Sequence, residues 1–243
     1  MPLRIGFDMD GVLADFSGAF REHEMRLFGP APASNAEGGD HDRRESFRDP
    51  EKEEERQADV ERQARADAKT RLDSRRREEE VWEAIESTPD FWTTLRPLDP
   101  HAVRRIHELM LRHRWEVFFI TQRPFTAGET VQRQTQRWLV AQGFDLPSVL
   151  VLHGSRGAAA AALRLDYHVD DRPQNCVDVA ADSEAKTILI APESNQTTIV
   201  SARKLGIGVA HRIGDALDIL DQATLAQTNP SLFRRIAAMV GWK

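Results

Sequence analysis

The chain has 243 residues, 40% of them hydrophobic and 30% charged, and a formal net charge of −6. That length suits one sizeable core with a smaller insertion. The acidic balance excludes non-specific binding to polymeric nucleic acid, which needs a basic face, and no run of about 18 apolar residues is present to span a bilayer. Asp8 and Asp10 interrupt the only apolar stretch near the start, so no signal peptide is read and the expected location is the cytoplasm. Cys176 is the single cysteine; it cannot form an internal disulfide and reads as a small buried residue.

The first predicted element is a short strand through Leu3, Ile5 and Phe7 that delivers Asp8, Asp10 and Gly11 at its tip. An Asp-Gly hairpin turn is the simple alternative, but it leaves Asp8 and Asp15 without a reason. Two carboxylates this close repel unless a cation or a proton lies between them, which points to an oxygen-ligand site for a divalent ion such as Mg²⁺. Apolar and charged residues at helical spacing predict a helix over 16–28, stopped by Gly29 and Pro30. Residues 29–50 read as a loop. Residues 51–80 are charged or small apart from Val60 and Leu72, and i, i+4 pairs such as Glu61 with Arg65 and Asp67 with Arg71, each worth about 0.2–0.5 kcal/mol, predict a solvated helix or a partly disordered insertion. A partner-contacting arm is the other reading of this stretch. An apolar face returns with Val81, Trp82, Ile85, Phe91, Trp92 and Leu95, so 17–98 is read as a helical cap inserted into a core formed by 1–16 and 99–243.

From Pro100 the pattern alternates. A helix is expected over 101–113, with Asp99-Pro100 as its N-cap and first position. The apolar strand 117–120 then ends in Thr121, and a helix follows over 127–142. Next come a strand over 149–152, a helix over 157–163 and a strand over 167–169 that ends in Asp170-Asp171. Weaker strands are read over 187–190 and 208–210, with a helix over 214–221. Leu232, Phe233, Ile236, Val240 and Trp242 suggest a final helix that packs on the core or forms a homodimer contact. Short apolar strands alternating with helices predict a doubly wound, Rossmann-like parallel sheet of the α/β class. In such sheets ligands bind beyond the carboxyl ends of the strands, where Asp8, Asp10, Thr121, Asp170 and Asp171 all fall.

The string Asp-x-Asp-Gly-Val-Leu-x-Asp after the first strand, the apolar run ending in Thr121, a basic residue at Arg156 and the pair Asp170-Asp171 together resemble the four motifs of the haloacid dehalogenase-like phosphatases. The resemblance implies Asp8 as nucleophile, Asp10 as general acid/base and Thr121 as a holder of a phosphoryl oxygen. Arg156 stands where lysine is commoner, and it supplies a permanent charge and a fork suited to phosphate oxygens; otherwise it is a surface residue at a helix start. Mg²⁺ is expected among Asp8, Asp10, Asp170 and Asp171, with Asp171 reaching it directly. Gln122 and Arg123 either touch substrate or face solvent.

Within that superfamily the chain looks like the 5′-nucleotidase branch acting on deoxyribonucleoside monophosphates. Phe16, Phe91, Trp92 and Arg172 match the positions that hold the nucleoside there, the aromatic faces stacking on a base; core packing is the competing role for Phe91 and Trp92. The expected activity is Mg²⁺-dependent hydrolysis of a small phosphorylated substrate, a nucleotide by resemblance, through an aspartyl-phosphate. A phosphatase of another metabolite, or a non-catalytic partner-binding protein, are the alternatives.

Overall fold

The computed structural model describes residues 2–30, 50–226 and 242. Six parallel strands form the expected sheet: β1 (Arg4–Asp8), β2 (Glu116–Thr121), β3 (Ser148–Val151), β4 (Tyr167–Asp170), β5 (Lys186–Ile190) and β6 (Gly208–Ala210). Their spatial order is β3-β2-β1-β4-β5-β6. Each strand is short and apolar because helices cover both faces of a parallel sheet. In β1, Ile5 and Phe7 point to one face and are fully buried, and Gly6, on the other face, is buried too. Strand order reverses between β1 and β4, which pair in register from Ile5 opposite Tyr167 to Phe7 opposite Val169. The crevice beyond that reversal is where a doubly wound sheet offers a ligand site.

Two compact units divide the chain. One comprises Met1–Ala19 with Glu86–Lys243, the other Phe20–Ile85. The second unit contains most of two helices, α1 (Phe16–Phe28) and α2 (Pro50–Ser87). Within it Phe20 meets Trp82 edge-on at 5.7 Å, and Arg77 lies over the Phe28 ring. From Leu72 to Glu79 the α2 side chains are exposed, as the composition requires, and Arg76 pairs with Glu80 one turn on. The pairs Glu61–Arg65 and Asp67–Arg71 lie outside the described side chains.

The segment 86–98, read from sequence as part of the cap, belongs to the α/β unit. It contains a 3₁₀ turn over Phe91–Thr93 and is held against α4 (Val131–Ala141). The Trp92 amide donates to Gln134 Oε1 at 3.0 Å, Trp138 Nε1 donates to the Leu95 carbonyl at 2.7 Å, and Asp90 Oδ1 accepts from the Glu129 amide. Phe91, Trp92 and Leu95 are buried as a result.

The remaining helices are α3 (Ala102–His113), α5 (Arg156–Leu163), α6 (Pro173–Asp182), α7 (Gln196–Lys204) and α8 (Ile213–Ala226). Helix α3 starts one step later than expected. Asp99 does not cap it but makes the preceding turn, its Oδ1 accepting from the His101 amide. Helix α4 starts at Val131 behind a Thr130 cap, because Gly128, at φ +95°, keeps the preceding stretch out of helix. Sequence reading passed over α6 and α7, which bury only Cys176 with Val179 and Ile199 with Ala202, too sparse a stripe for periodicity to register.

Of the expected terminal helix, Leu232, Phe233, Ile236 and Val240 lie outside the described residues. Trp242 is buried on Tyr167 and donates to the Thr187 carbonyl. Among the described residues no helix is long and apolar enough to cross a membrane.

Trp138 fastens 86–98 to the sheet unit by packing and by one hydrogen bond. Trp138→Ala is expected to lower unfolding free energy by about 3–5 kcal/mol in urea titrations. Trp138→Phe, which keeps most of the packing and loses the bond to Leu95, is expected to cost about 1–2 kcal/mol.

Candidate functional site

Asp8 ends β1 at 5% exposure, and the chain then turns back on itself at once. The amides of Leu13 and Ala14 both donate to the Met9 carbonyl, and the Gly11 amide donates to Ala14. Gly11 has φ +83°, and a Cβ there would lie 2.0 Å from Asp171 Oδ2. Only glycine meets both demands, so this residue sets how closely the β1 turn approaches the tip of β4. Asp15 is structural: its Oδ1 accepts from the Gly18 amide at 2.8 Å and caps α1.

Asp170 ends β4 and is fully buried. Its Oδ1 accepts from the Arg172 amide and Asn175 Nδ2, and its Oδ2 from Asn175 and from His168 Nε2 at 3.1 Å. A carboxylate can only accept, so His168 presents its Nε2 proton here. Asp171 follows, half-buried, with Oδ1 enclosed and lacking a hydrogen-bond partner among the described residues. Asp8, Asp170 and Asp171 offer oxygens that all lie within 4.8 Å of one another, a cluster that could hold a metal ion. Three hard oxygen donors, one of them unsatisfied, fit a small divalent cation such as Mg²⁺.

Arg156 opens α5 behind the Ser155 cap and is 4% exposed. Its Nη2 donates to Asp8 Oδ1 in an ion pair. Its Nε lies 3.7 Å from Asp170 Oδ2. Nε and Nη1 are buried without a hydrogen-bond partner among the described residues. Arg156 is therefore no surface residue; two of its nitrogens lack an acceptor beside Asp8. Thr121 ends β2, also buried. Gln122 is exposed and ties the loops after β2 and β3 together, donating to the Gly154 carbonyl at 2.8 Å.

Arg123 departs most from expectation, since it neither faces solvent nor offers an open contact to a ligand. At 2% exposure it donates from Nε and Nη2 to both oxygens of Asp10, at 2.9 and 2.7 Å, and from Nη1 to Thr135 Oγ1 at 2.9 Å. Asp10 is thereby committed to an arginine and lies outside the three-carboxylate cluster, although sequence reading placed it among the metal ligands. Phe91 and Trp92, expected to stack on a nucleoside, are each 1% exposed and leave no ring face for a ligand. Phe16, half-buried, tilts against Trp92 at 5.6 Å. Arg172 is exposed and contributes its backbone amide to Asp170.

Three functional neighbours escaped sequence reading. His168 stands two residues before Asp170, on the same face of the strand, and that spacing is a legible signal. Asn175 sits one helical turn past the acidic pair. Thr135, inside α4, carries no signal at all.

The metal-free electrostatics follow from crowding. Burial, then repulsion from Asp170, holds the Asp8 carboxyl well above the usual carboxylate range despite Arg156. For Asp170, burial alone would act the same way, but the hydrogen bond and attraction of His168, with Arg156 and the Arg172 amide, outweigh it and leave the group below its ordinary value. Burial, then Asp170, pushes Asp171 up to about 6. Cys176, against this cluster, has its thiol raised well above normal by burial, which makes it inert.

Asp171 binds its proton more tightly folded than unfolded, so its contribution to stability is full below about pH 4 and is lost as pH rises through about 6. Without divalent cations, Asp171→Asn is expected to exceed wild type in stability by about 1–3 kcal/mol at pH 7 and to match it near pH 4. Added Mg²⁺ or Mn²⁺ should raise the melting temperature of wild type and leave that of the variant unchanged. No family model matches the chain, and no curated protein matches it.

Proposed function

We propose that the protein is a divalent-metal-dependent phosphomonoester hydrolase that works through an aspartyl-phosphate on Asp8. One observation carries the reading: at the switch point of the sheet a buried carboxylate, Asp8, clusters with two further carboxylates and pairs with a buried guanidinium, two of whose nitrogens have no hydrogen-bond partner among the described residues. That combination suits a cation held by the carboxylates and a phosphoryl oxygen held by the guanidinium. It agrees with the resemblance of the four sequence motifs to haloacid dehalogenase-like phosphatases.

A Mg²⁺ ion held by Asp8, Asp170 and Asp171 would neutralise their mutual repulsion and the charge of a phosphoryl group. Arg156 Nη1 and Nε would take phosphoryl oxygens, drawing the guanidinium off Asp8 and leaving that carboxylate to act as nucleophile. Asp8 oxygen forms a bond to phosphorus as the ester oxygen departs, and Asp10 gives that oxygen a proton. Water then attacks phosphorus and passes a proton to Asp10, the bond to Asp8 breaks, and phosphate leaves with Asp8 restored. Thr121, at the tip of β2, stands at the same edge of the sheet and would contact the phosphoryl group.

Nucleoside monophosphates are the substrates the resemblance favours. The burial of Phe91 and Trp92 favours a second reading, small phosphate esters in general, because it removes two of the expected aromatic contacts. A phosphate-release panel of deoxyribonucleoside monophosphates, sugar phosphates and p-nitrophenyl phosphate, with Mg²⁺ or with EDTA, separates the two. Wild type is expected to turn over with Mg²⁺ alone, and Asp8→Asn to lose at least roughly 10³-fold in kcat. Turnover in Asp8→Asn comparable to wild type would overturn the mechanism, and a wild type inert on every ester would favour a non-catalytic role.

A further inference from the structure

We propose that Arg123 is the positioning residue of this site, fixing the Asp10 carboxylate in the orientation from which it exchanges a proton with the ester oxygen. The inference rests on the phosphatase reading. Its structural basis is independent of it.

Asp10 sits on the tight turn that follows β1, its side chain 24% exposed. Nothing in that turn fixes the carboxylate; Arg123 does. The guanidinium grips both oxygens in a parallel fork, a geometry that lysine, with a point charge, cannot reproduce. Arg123 is itself held on its remaining sides. Nη1 donates to Thr135, and the guanidinium carbon lies 4.8 Å from the centroid of the Trp92 ring. Trp92 is fixed in turn by Gln134 and by its indole donation to the Pro124 carbonyl at 3.1 Å. All three guanidinium nitrogens are engaged and the side chain is buried. At 2% exposure its two remaining N–H groups do not face an open ligand site; positioning of Asp10 uses the three bonds as they stand.

With both oxygens pinned, Asp10 can meet a reacting oxygen only through its remaining lone pairs, in one direction. Loosening the fork should therefore harm esters that need a proton on departure and spare those that do not. An alkoxide leaving group needs one; p-nitrophenolate, a stable anion, does not. The parameter to compare is kcat/KM, which reports the steps up to formation of the aspartyl-phosphate and excludes its later hydrolysis.

The test measures kcat/KM on a nucleoside monophosphate and on p-nitrophenyl phosphate for wild type, Arg123→Met, Arg123→Lys, Asp10→Asn and the double variant Asp10→Asn/Arg123→Met. Arg123→Met is expected to lose roughly 10²-fold or more on the alkyl ester and less than about 10-fold on the aryl ester. In the Asp10→Asn background, Arg123→Met should add little further loss, because the two residues act as one unit. Arg123→Lys keeps the charge and loses the fork. It should show an intermediate, still ester-selective loss, and it serves as the informative variant if Arg123→Met does not fold. An equal loss on both esters, a rise in KM alone, or full additivity with Asp10→Asn would overturn the positioning role. Wild-type-like hydrolysis in Asp8→Asn would instead overturn the aspartyl-phosphate mechanism, and a wild type inert on both esters would overturn the phosphatase reading and the positioning role with it; loss in Asp8→Asn with an equal loss on both esters in Arg123→Met would overturn the positioning role alone.

Discussion

Like charge held at close quarters is the constraint on which this structure turns. Asp8, Asp170 and Asp171 bring their oxygens within 4.8 Å of one another, and two of the three are buried. In the absence of a cation such a group holds a proton back, and the raised carboxyls of Asp8 and Asp171 express that directly. The surroundings assign the burden unequally. Asp170, with donors from His168, Asn175 and the Arg172 amide, is the carboxylate the fold keeps charged, so proton uptake falls on its neighbours. Arg156 offsets part of the repulsion while keeping two nitrogens without acceptors.

The same constraint explains why two arginines are buried at one sheet edge. Each is matched to one carboxylate of the first turn, Arg156 to Asp8 and Arg123 to Asp10, and they arrive from different elements. Arg156 stands at the first turn of a helix, where its backbone is fixed by the Ser155 cap. Arg123 follows the tip of a strand and leans on an indole. Both arrangements make the cation a rigid part of the scaffold, which is what a preorganised electrostatic site requires.

Much of this was legible in the sequence because strand tips in a parallel sheet announce themselves. Short apolar runs ending in Asp8, Thr121 and Asp170 located three corners of the crevice, and the alternation of strands and helices gave the α/β class. Partner choice was not legible. A string that spells Asp-x-Asp does not say that its second carboxylate will be taken by an arginine 113 residues later, nor that Phe91 and Trp92 will be consumed by packing on α4. These outcomes depend on where the segment after the insertion docks, and docking is decided by buried hydrogen bonds such as Trp138 to Leu95, which leave no periodic trace. The sparse stripes of α6 and α7 failed for a related reason: a helix that buries two side chains carries too little pattern to be seen.

The position of β1 at the centre of the sheet has a consequence for how the chain finds its fold. Both neighbours of β1 lie far along the sequence, and the Arg4 amide reaches an acceptor 162 residues away. Pairing at the middle of the sheet thus requires closure of very long loops before any central contact is gained, which is slow and exposes apolar edges meanwhile. Local pieces such as β4 with β5 face no such delay. The strand that bears Asp8 is therefore expected to join a partly assembled sheet late, so that the crevice and its charge balance come into existence together, in one of the last steps of folding.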